Sequence, residues 1–329
     1  MASAPRPRGS SPRPRVASQE RENESLSPRF LRSVFTAGNT RTVLLSFDEL
    51  SEWCQDNNFI LRGYRPISGS AHASFCTIAF LLGGWYIPEY LASRYSSITG
   101  ADFFIFTLFL LTAVICLGLS TTYHTLMNHS HDVEQLWLRL DLIGIVVLTL
   151  GDFVSGIYMV FWCEPLQREI YWSLVSQYLY TVPVLLLPPL MSKSYVDRQS
   201  GILGLLTIFI VVNPKFQGQK FRVFRALTFI ATGLSGFVPL VHGVKMFGVS
   251  QMISQSGMLY YLIEGGFLLL GALIYATRFP ESRYPGKFDI YGSSHQLFHI
   301  LVVLAAVTQL IGILNAFDYN HVNRTCLKS

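Results

Sequence analysis

The sequence predicts an all-α polytopic membrane protein, and three observations carry that prediction. Half of the 329 residues are hydrophobic, 14% are charged, and mean hydropathy is +0.38, a balance outside the usual range of soluble domains. Long apolar runs cover residues 103–123, 142–161, 226–247, 258–275 and 296–317. Lipid offers the backbone no hydrogen-bond partner, so a run of about 20 apolar residues reads as a spanning helix. Third, ten of the 25 Lys and Arg residues precede position 66, and cations are retained on the cytoplasmic side. The expected fold is a seven-helix transmembrane bundle with its N-terminus in the cytoplasm.

Residues 1–40 are rich in Arg, Pro and Ser and show no apolar periodicity. They read as a disordered basic cytoplasmic tail without the apolar core of a signal peptide. The basic segment lacks interleaved aromatics and precedes membrane spans, so nucleic acid is not expected as a partner. Residues 41–66 follow as an amphipathic cytoplasmic helix and linker. There Ser46 and Glu49 have capping-box spacing, and Phe47, Leu50 and Trp53 mark one face.

The membrane domain is assigned to residues 67–318 and a short extracytoplasmic tail to 319–329. Two of its regions, 75–91 and 170–213, are apolar but irregular. Parity constrains the second. His124 ends one run and His295 opens the last, so a shared site requires an even number of crossings between them. Three clear runs lie between, and 170–213 must then cross once. On that arrangement eighteen cations fall on the cytoplasmic side and five on the other, with Lys193 and Arg198 unassigned, which agrees with the positive-inside bias. The five cysteines form no CxxC pair and no disulfide scaffold is expected. Cys163 and Cys326 share the non-cytoplasmic side in this topology, which leaves one bridge open.

His295 and His299 stand four residues apart in Ser294-His-Gln-Leu-Phe-His299, so on a helix both imidazoles face one way. At the head of a membrane span, costly polar groups turn inward. His124, closing the run that ends Ser120-Thr-Thr-Tyr-His124, supplies a third imidazole at the same depth. Together they suggest a zinc site near the cytoplasmic face. Three neutral imidazoles leave a tetrahedral zinc one position open, as in catalytic rather than structural sites, and a water there has its pKa lowered to about 7. Asp141 begins the next run and is placed to hold that water, or is simply a first-turn carboxylate favoured by the helix dipole. His129 and His131 read as solvated, and His242 as a hydrogen-bonded histidine of the bundle at the opposite face. Asp152 returns to the helix face of Asp141 about 16 Å deeper, and Glu264 is a lone acid inside an apolar run; either lines an interior cavity or makes a buried hydrogen bond. No P-loop, GxSxG or dinucleotide fingerprint is present.

The segments Ser120-Thr-Thr-Tyr-His124, Leu140-Asp-Leu-Ile-Gly-Ile145, Gly233-Leu-Ser-Gly236, Pro280-Glu-Ser-Arg-Tyr-Pro-Gly-Lys-Phe-Asp-Ile290 and Ser294-His-Gln-Leu-Phe-His299 resemble the progestin and adipoQ receptor family. That family includes the adiponectin receptors, the fungal zinc-homeostasis membrane proteins and the bacterial haemolysin III proteins. The resemblance implies seven helices, an internal N-terminus and zinc on His124, His295 and His299. It also implies that Asp141 and Ser120 stand around the zinc-bound water. Relative to the family pattern, 75–91 is a truncated first span and 174–203 an insertion, which suggests errors in the gene model. The function implied is a receptor-like protein of lipid and zinc homeostasis. It is either a zinc-dependent hydrolase of ceramide-type lipid amides or a receptor with purely structural zinc. Expected partners are membrane lipids, with ceramide, sterol or fatty acid and an extracellular protein as ligand classes.

Overall fold

The first clear apolar run becomes helix α1, Gly100–Leu126, and its start is fixed by a capping box. The Asp102 carboxylate accepts the Thr99 amide at 2.8 Å, and the Thr99 hydroxyl accepts the Asp102 amide at 3.3 Å. Two amides left free by the first turn are thereby paired. The fold is that of a computed structural model, which describes residues 45–50, 55–64, 98–127, 129–186 (side chains to 175), 213, 221–324 and 326, with isolated positions between 78 and 93. All belong to the compact unit Leu44–Ser329.

Helix α2, His131–Val160, runs back antiparallel to α1. The two approach closely because Gly144 has no side chain: a Cβ there would sit 3.1 Å from the Cys116 Cα. Small residues at such contacts let helix backbones pack where no hydrophobic effect drives them together. Helix α3, Pro165–Leu186, follows and carries the first part of the expected 174–203 insertion. The rest of that stretch, the tail over 1–40 and most of 75–91 lie outside the described residues.

Helices α4, Arg222–Ser235, and α5, Phe237–Phe247, form one apolar span of 26 residues broken at Gly236. Pro239 explains the break, since it cannot donate to the Ser235 carbonyl and its ring crowds that position. Helix α6, Val249–Gln255, leads into α7, Met258–Thr277, which pairs antiparallel with α8, Ser294–Asn323. Five spans are therefore long and apolar enough to cross a membrane among the described residues.

The apolar stretch of α2 is 67% buried and that of α7 only 11%, so α2 is central and α7 peripheral. Leu259, Ile263, Leu270 and Leu273 are exposed and lie away from the internal cavity, on the outer surface. In a membrane protein that surface faces lipid, which solvates it without penalty. One core, built on Phe106, Phe109, Met159, Ile313 and Phe317, joins α1, α2 and α8; a second, on Leu150, Ile157, Phe161, Leu240 and Met252, joins α2, α5 and α6.

The two ends of the bundle differ. At one end Cys163 and Cys326 form a disulfide with S–S 2.07 Å, and Arg324 pairs with Glu164 at 3.1 Å. The pairing that the sequence left open is therefore made, and disulfides of this kind persist in oxidising compartments. Asp102 is buried near this end, accepting the Tyr158 hydroxyl at 2.7 Å and facing His321 at 3.7 Å. The other end carries the loop between α7 and α8 and the segment 55–64 bonded to it. The chain changes end between Tyr64 and Thr99 and again between Val160 and Arg222.

The capping box at Ser46 forms, with Glu49 accepting the Ser46 amide at 2.9 Å and its hydroxyl at 3.0 Å. The expected amphipathic helix does not continue from it. The turn is a 3-10 helix of three residues, Phe47–Glu49, and Leu50 is extended. Flanking residues instead pair as strands, β1 Leu45–Ser46 with β2 Arg62–Tyr64, antiparallel. Hydrogen bonding to Asp289 fixes the second strand and outweighs the local helical signal. Trp53 lies outside the described residues.

Candidate metal centre

His124 comes from the last turn of α1, and His295 and His299 from the first two turns of α8. The three Nε2 atoms converge, with separations of 3.0 Å (His124 to His299), 3.2 Å (His295 to His124) and 3.0 Å (His299 to His295). Three neutral imidazoles turning ring nitrogens onto one point cannot all be donor and acceptor in turn without a proton or cation to share. A tetrahedral zinc with Zn–N of about 2.0–2.1 Å would hold its nitrogens about 3.3 Å apart. The triangle is within a few tenths of an ångström of that. Among the described residues it is the one group of at least three His, Cys, Asp or Glu side chains set for a metal.

What aims His295 is Glu281, in the loop before α8. Its side chain is fully buried. One carboxylate oxygen accepts the Ser294 amide at 2.7 Å, and the other accepts the Ser294 hydroxyl and the Asn57 amide group, the latter at 3.1 Å. A carboxylate at the head of a helix satisfies a free amide and complements the helix dipole. Asp289 extends the same frame, accepting the amides of Leu61 and Arg62 at 3.0 Å each. Arg278 donates to the Asp56 carbonyl and lies 3.4 Å from its carboxylate. Partial burial, with the charges of Asp289 and Asp56 adding to it and that of Arg278 opposing, pushes the Tyr64 hydroxyl up to about 12. Tyr64 therefore stays protonated and donates to the Ile60 carbonyl at 3.0 Å.

Ser120 lies one turn before His124, buried, with its hydroxyl unpartnered. Asp141 on α2 stands beside it, outside hydrogen-bond geometry. Both line the cavity that the three histidines line. That cavity has a volume of about 2120 Å³, at least twice the common range for small-molecule pockets, and reaches from Tyr64 past the imidazoles to Asp152 and Glu264. Its walls are mostly apolar, from Leu142, Val146, Phe229, Leu268 and Val302 among others. His129 and His131 are exposed, as expected for solvated residues. His242 accepts or donates a 3.0 Å bond with the Tyr171 hydroxyl far from the triad, the bundle role the sequence suggests.

Three participants, Glu281, Ser294 and Arg222, were not singled out in the sequence. Glu281 and Ser294 are thirteen residues apart and their pairing depends on the loop between α7 and α8. Arg222 is buried with its guanidinium 3.8 Å over the Tyr275 ring, donating to the Tyr275 carbonyl, and its Nε and Nη1 lack partners. Tyr275 in turn packs on His295, ring centroids 5.6 Å apart.

The arrangement agrees with what comparison with known proteins finds. A model of the haemolysin-III-related family matches residues 66–310. The chain belongs to that family. This haemolysin-III-related protein is 34% identical over 312 residues to the adiponectin receptor protein of Drosophila melanogaster, a match covering 90% of this chain and 64% of that one. It is 30% identical over 296 residues to an ADIPOR-like receptor of Saccharomyces cerevisiae, covering 85% and 86%. Over 204 residues, 62% of this chain, it is 37% identical to heptahelical transmembrane protein 5 of Arabidopsis thaliana, covering 47% of that protein. The chain thus spans less than two thirds of the fly and plant relatives. It is an integral, multi-pass membrane protein of the adiponectin-receptor-like kind.

Proposed function

We propose that the protein is a zinc-dependent hydrolase of ceramide-type lipid amides, working in a seven-crossing bundle with a cytoplasmic N-terminus. The observation that carries this reading is the convergence of His124, His295 and His299 in one apolar cavity with Asp141 and Ser120. The five spans, with the chain changing end between Tyr64 and Thr99 and between Val160 and Arg222, support seven crossings.

The three imidazoles would hold the zinc, which would supply a Lewis acid and an activated water there. The apolar walls accept the acyl chains and exclude bulk water, which strengthens every charge interaction inside. Asp141 takes the proton that the attacking water releases and passes it to the leaving amine nitrogen. Carbon–oxygen bond formation and carbon–nitrogen cleavage then yield a fatty acid and a free amine. Ser120 lies beside Asp141, and a small side-chain rotation would let its hydroxyl donate to that carboxylate and orient it.

A second reading keeps the zinc structural and makes the protein a receptor of lipid and zinc homeostasis, with a sterol, fatty acid or extracellular protein as ligand. It is favoured by the relatives' designation as receptors. Protein purified in lipid, with zinc quantified on the same sample and a ceramide as substrate, separates the two. The hydrolase reading expects turnover that falls by about 10²–10⁴ in Asp141→Asn while zinc content persists. Fully metallated protein without turnover on ceramides of several chain lengths would leave only the receptor.

A further inference from the structure

Deeper in the same cavity the bundle gathers a second set of polar side chains that the metal centre does not use. Asp152 on α2 and Glu264 on α7 both line the cavity, and the Glu264 carboxyl lies within reach of the charge of Asp152. Tyr261, one turn before Glu264, reaches across to α2, where Gly156 leaves room for its ring and hydroxyl. Gln309 on α8 is fully buried and sits beside that hydroxyl, outside hydrogen-bond geometry. Three helices therefore point four oxygen-bearing side chains into one place.

These groups are not explained as a self-satisfied network. Asp152 Oδ1, Tyr261 Oη and both amide atoms of Gln309 are buried without partners, whereas buried polar atoms are nearly always paired. The ion pairs among the described residues join Arg278 to Asp56, His321 to Asp102 and Arg324 to Glu164, and none reaches Asp152 or Glu264. Two buried acids lining one cavity at membrane depth, with no ion pair to a cationic side chain among the described residues, are costly unless something positive lies near them.

We propose that Asp152, Glu264, Tyr261 and Gln309 form a binding site for an alkali-metal cation inside the bundle. The donor set is all oxygen, which suits hard cations rather than zinc. Two carboxyls sharing one proton and balanced by one monovalent ion leave the site neutral, and backbone or water oxygens would complete the coordination shell. The assignment stands independently of whether the metal centre turns over substrate.

The test uses full-length protein in detergent and radiolabelled sodium, with zinc content measured on each sample as a check of the fold. Binding should saturate and be displaced by unlabelled sodium chloride but not by choline chloride at equal ionic strength. Asp152→Asn and Glu264→Gln should each weaken it by about a hundredfold, the scale of removing one charged partner from a buried site, with zinc unchanged. Should either variant fail to fold, Tyr261→Phe and Gln309→Leu keep both carboxyls and should still weaken sodium binding. Absence of saturable binding, binding undiminished in the double variant Asp152→Asn/Glu264→Gln, or displacement by calcium at far lower concentration than by sodium would each overturn the proposal.

Discussion

Glu281 receives the Ser294 amide at 2.7 Å, one residue before the first α8 histidine, so the loop between α7 and α8 sets the rotation and depth at which that helix presents its imidazoles. Glu281→Gln turns a hydrogen-bond donor toward the Ser294 and Asn57 donors and leaves a buried amide unpaired. The expected loss is about 2–3 kcal/mol of stability, read as a lower thermal midpoint in detergent. Bound zinc should fall with it, because His295 follows directly.

Single alanine substitutions at His124, His295 and His299 should each lower zinc affinity by more than about a hundredfold, since every edge of the nitrogen triangle involves two of them. His129→Ala and His131→Ala, both exposed, should leave it unchanged. Elemental analysis of purified variants distinguishes the two groups. Equal losses at all five positions would mean that the triangle is not the metal site.

Gly144→Leu forces a side chain against the α1 backbone at Cys116. Neither helix can yield without displacing Ser120 or Asp141 from the cavity wall, so the expected outcome is destabilisation by about 1–3 kcal/mol. Gly118, where a Cβ meets nothing within 4 Å, is the control. Its replacement by Ala should be neutral or slightly stabilising, by up to about 1 kcal/mol. Thermal unfolding of the two variants side by side checks this.

Tyr158→Phe removes the donor to the fully buried Asp102 carboxylate at the disulfide end of the bundle. A loss of about 1–3 kcal/mol is expected, without effect on zinc, since the pair lies at the opposite end of α1 from His124. A change in zinc content would show instead that the two ends are coupled.

The three histidines were legible because their signal is local: four-residue spacing puts two imidazoles on one helix face at the head of an apolar run, and a third closes another apolar run. The family followed from motifs of fixed order, Pro280–Ile290 among them. Asp152 was placed correctly on the face of Asp141 by helical rotation alone. Its neighbours were not legible, because which face of α7 meets α2 is set by close contacts such as Gly156 with Tyr261, and these are invisible in periodicity. The helix expected after Ser46 was misread for a similar reason: a capping box marks a start, whereas Asp289, more than two hundred residues on, decided what followed. The pairing of Cys163 with Cys326 stayed open because it needs two segments 163 residues apart at one depth.

That cysteine pair also makes insertion of the chain into the membrane chemically observable. Cys163 is translated long before Cys326, and α8 lies between them, so the two thiols meet only after the last described helix has been threaded through the bilayer in the correct direction. A chain with α8 left on the cytoplasmic side would keep both thiols free to alkylation. The oxidised fraction of newly made protein therefore counts the molecules whose translocation is complete, and it does so without a tag, a substrate or a functional assay.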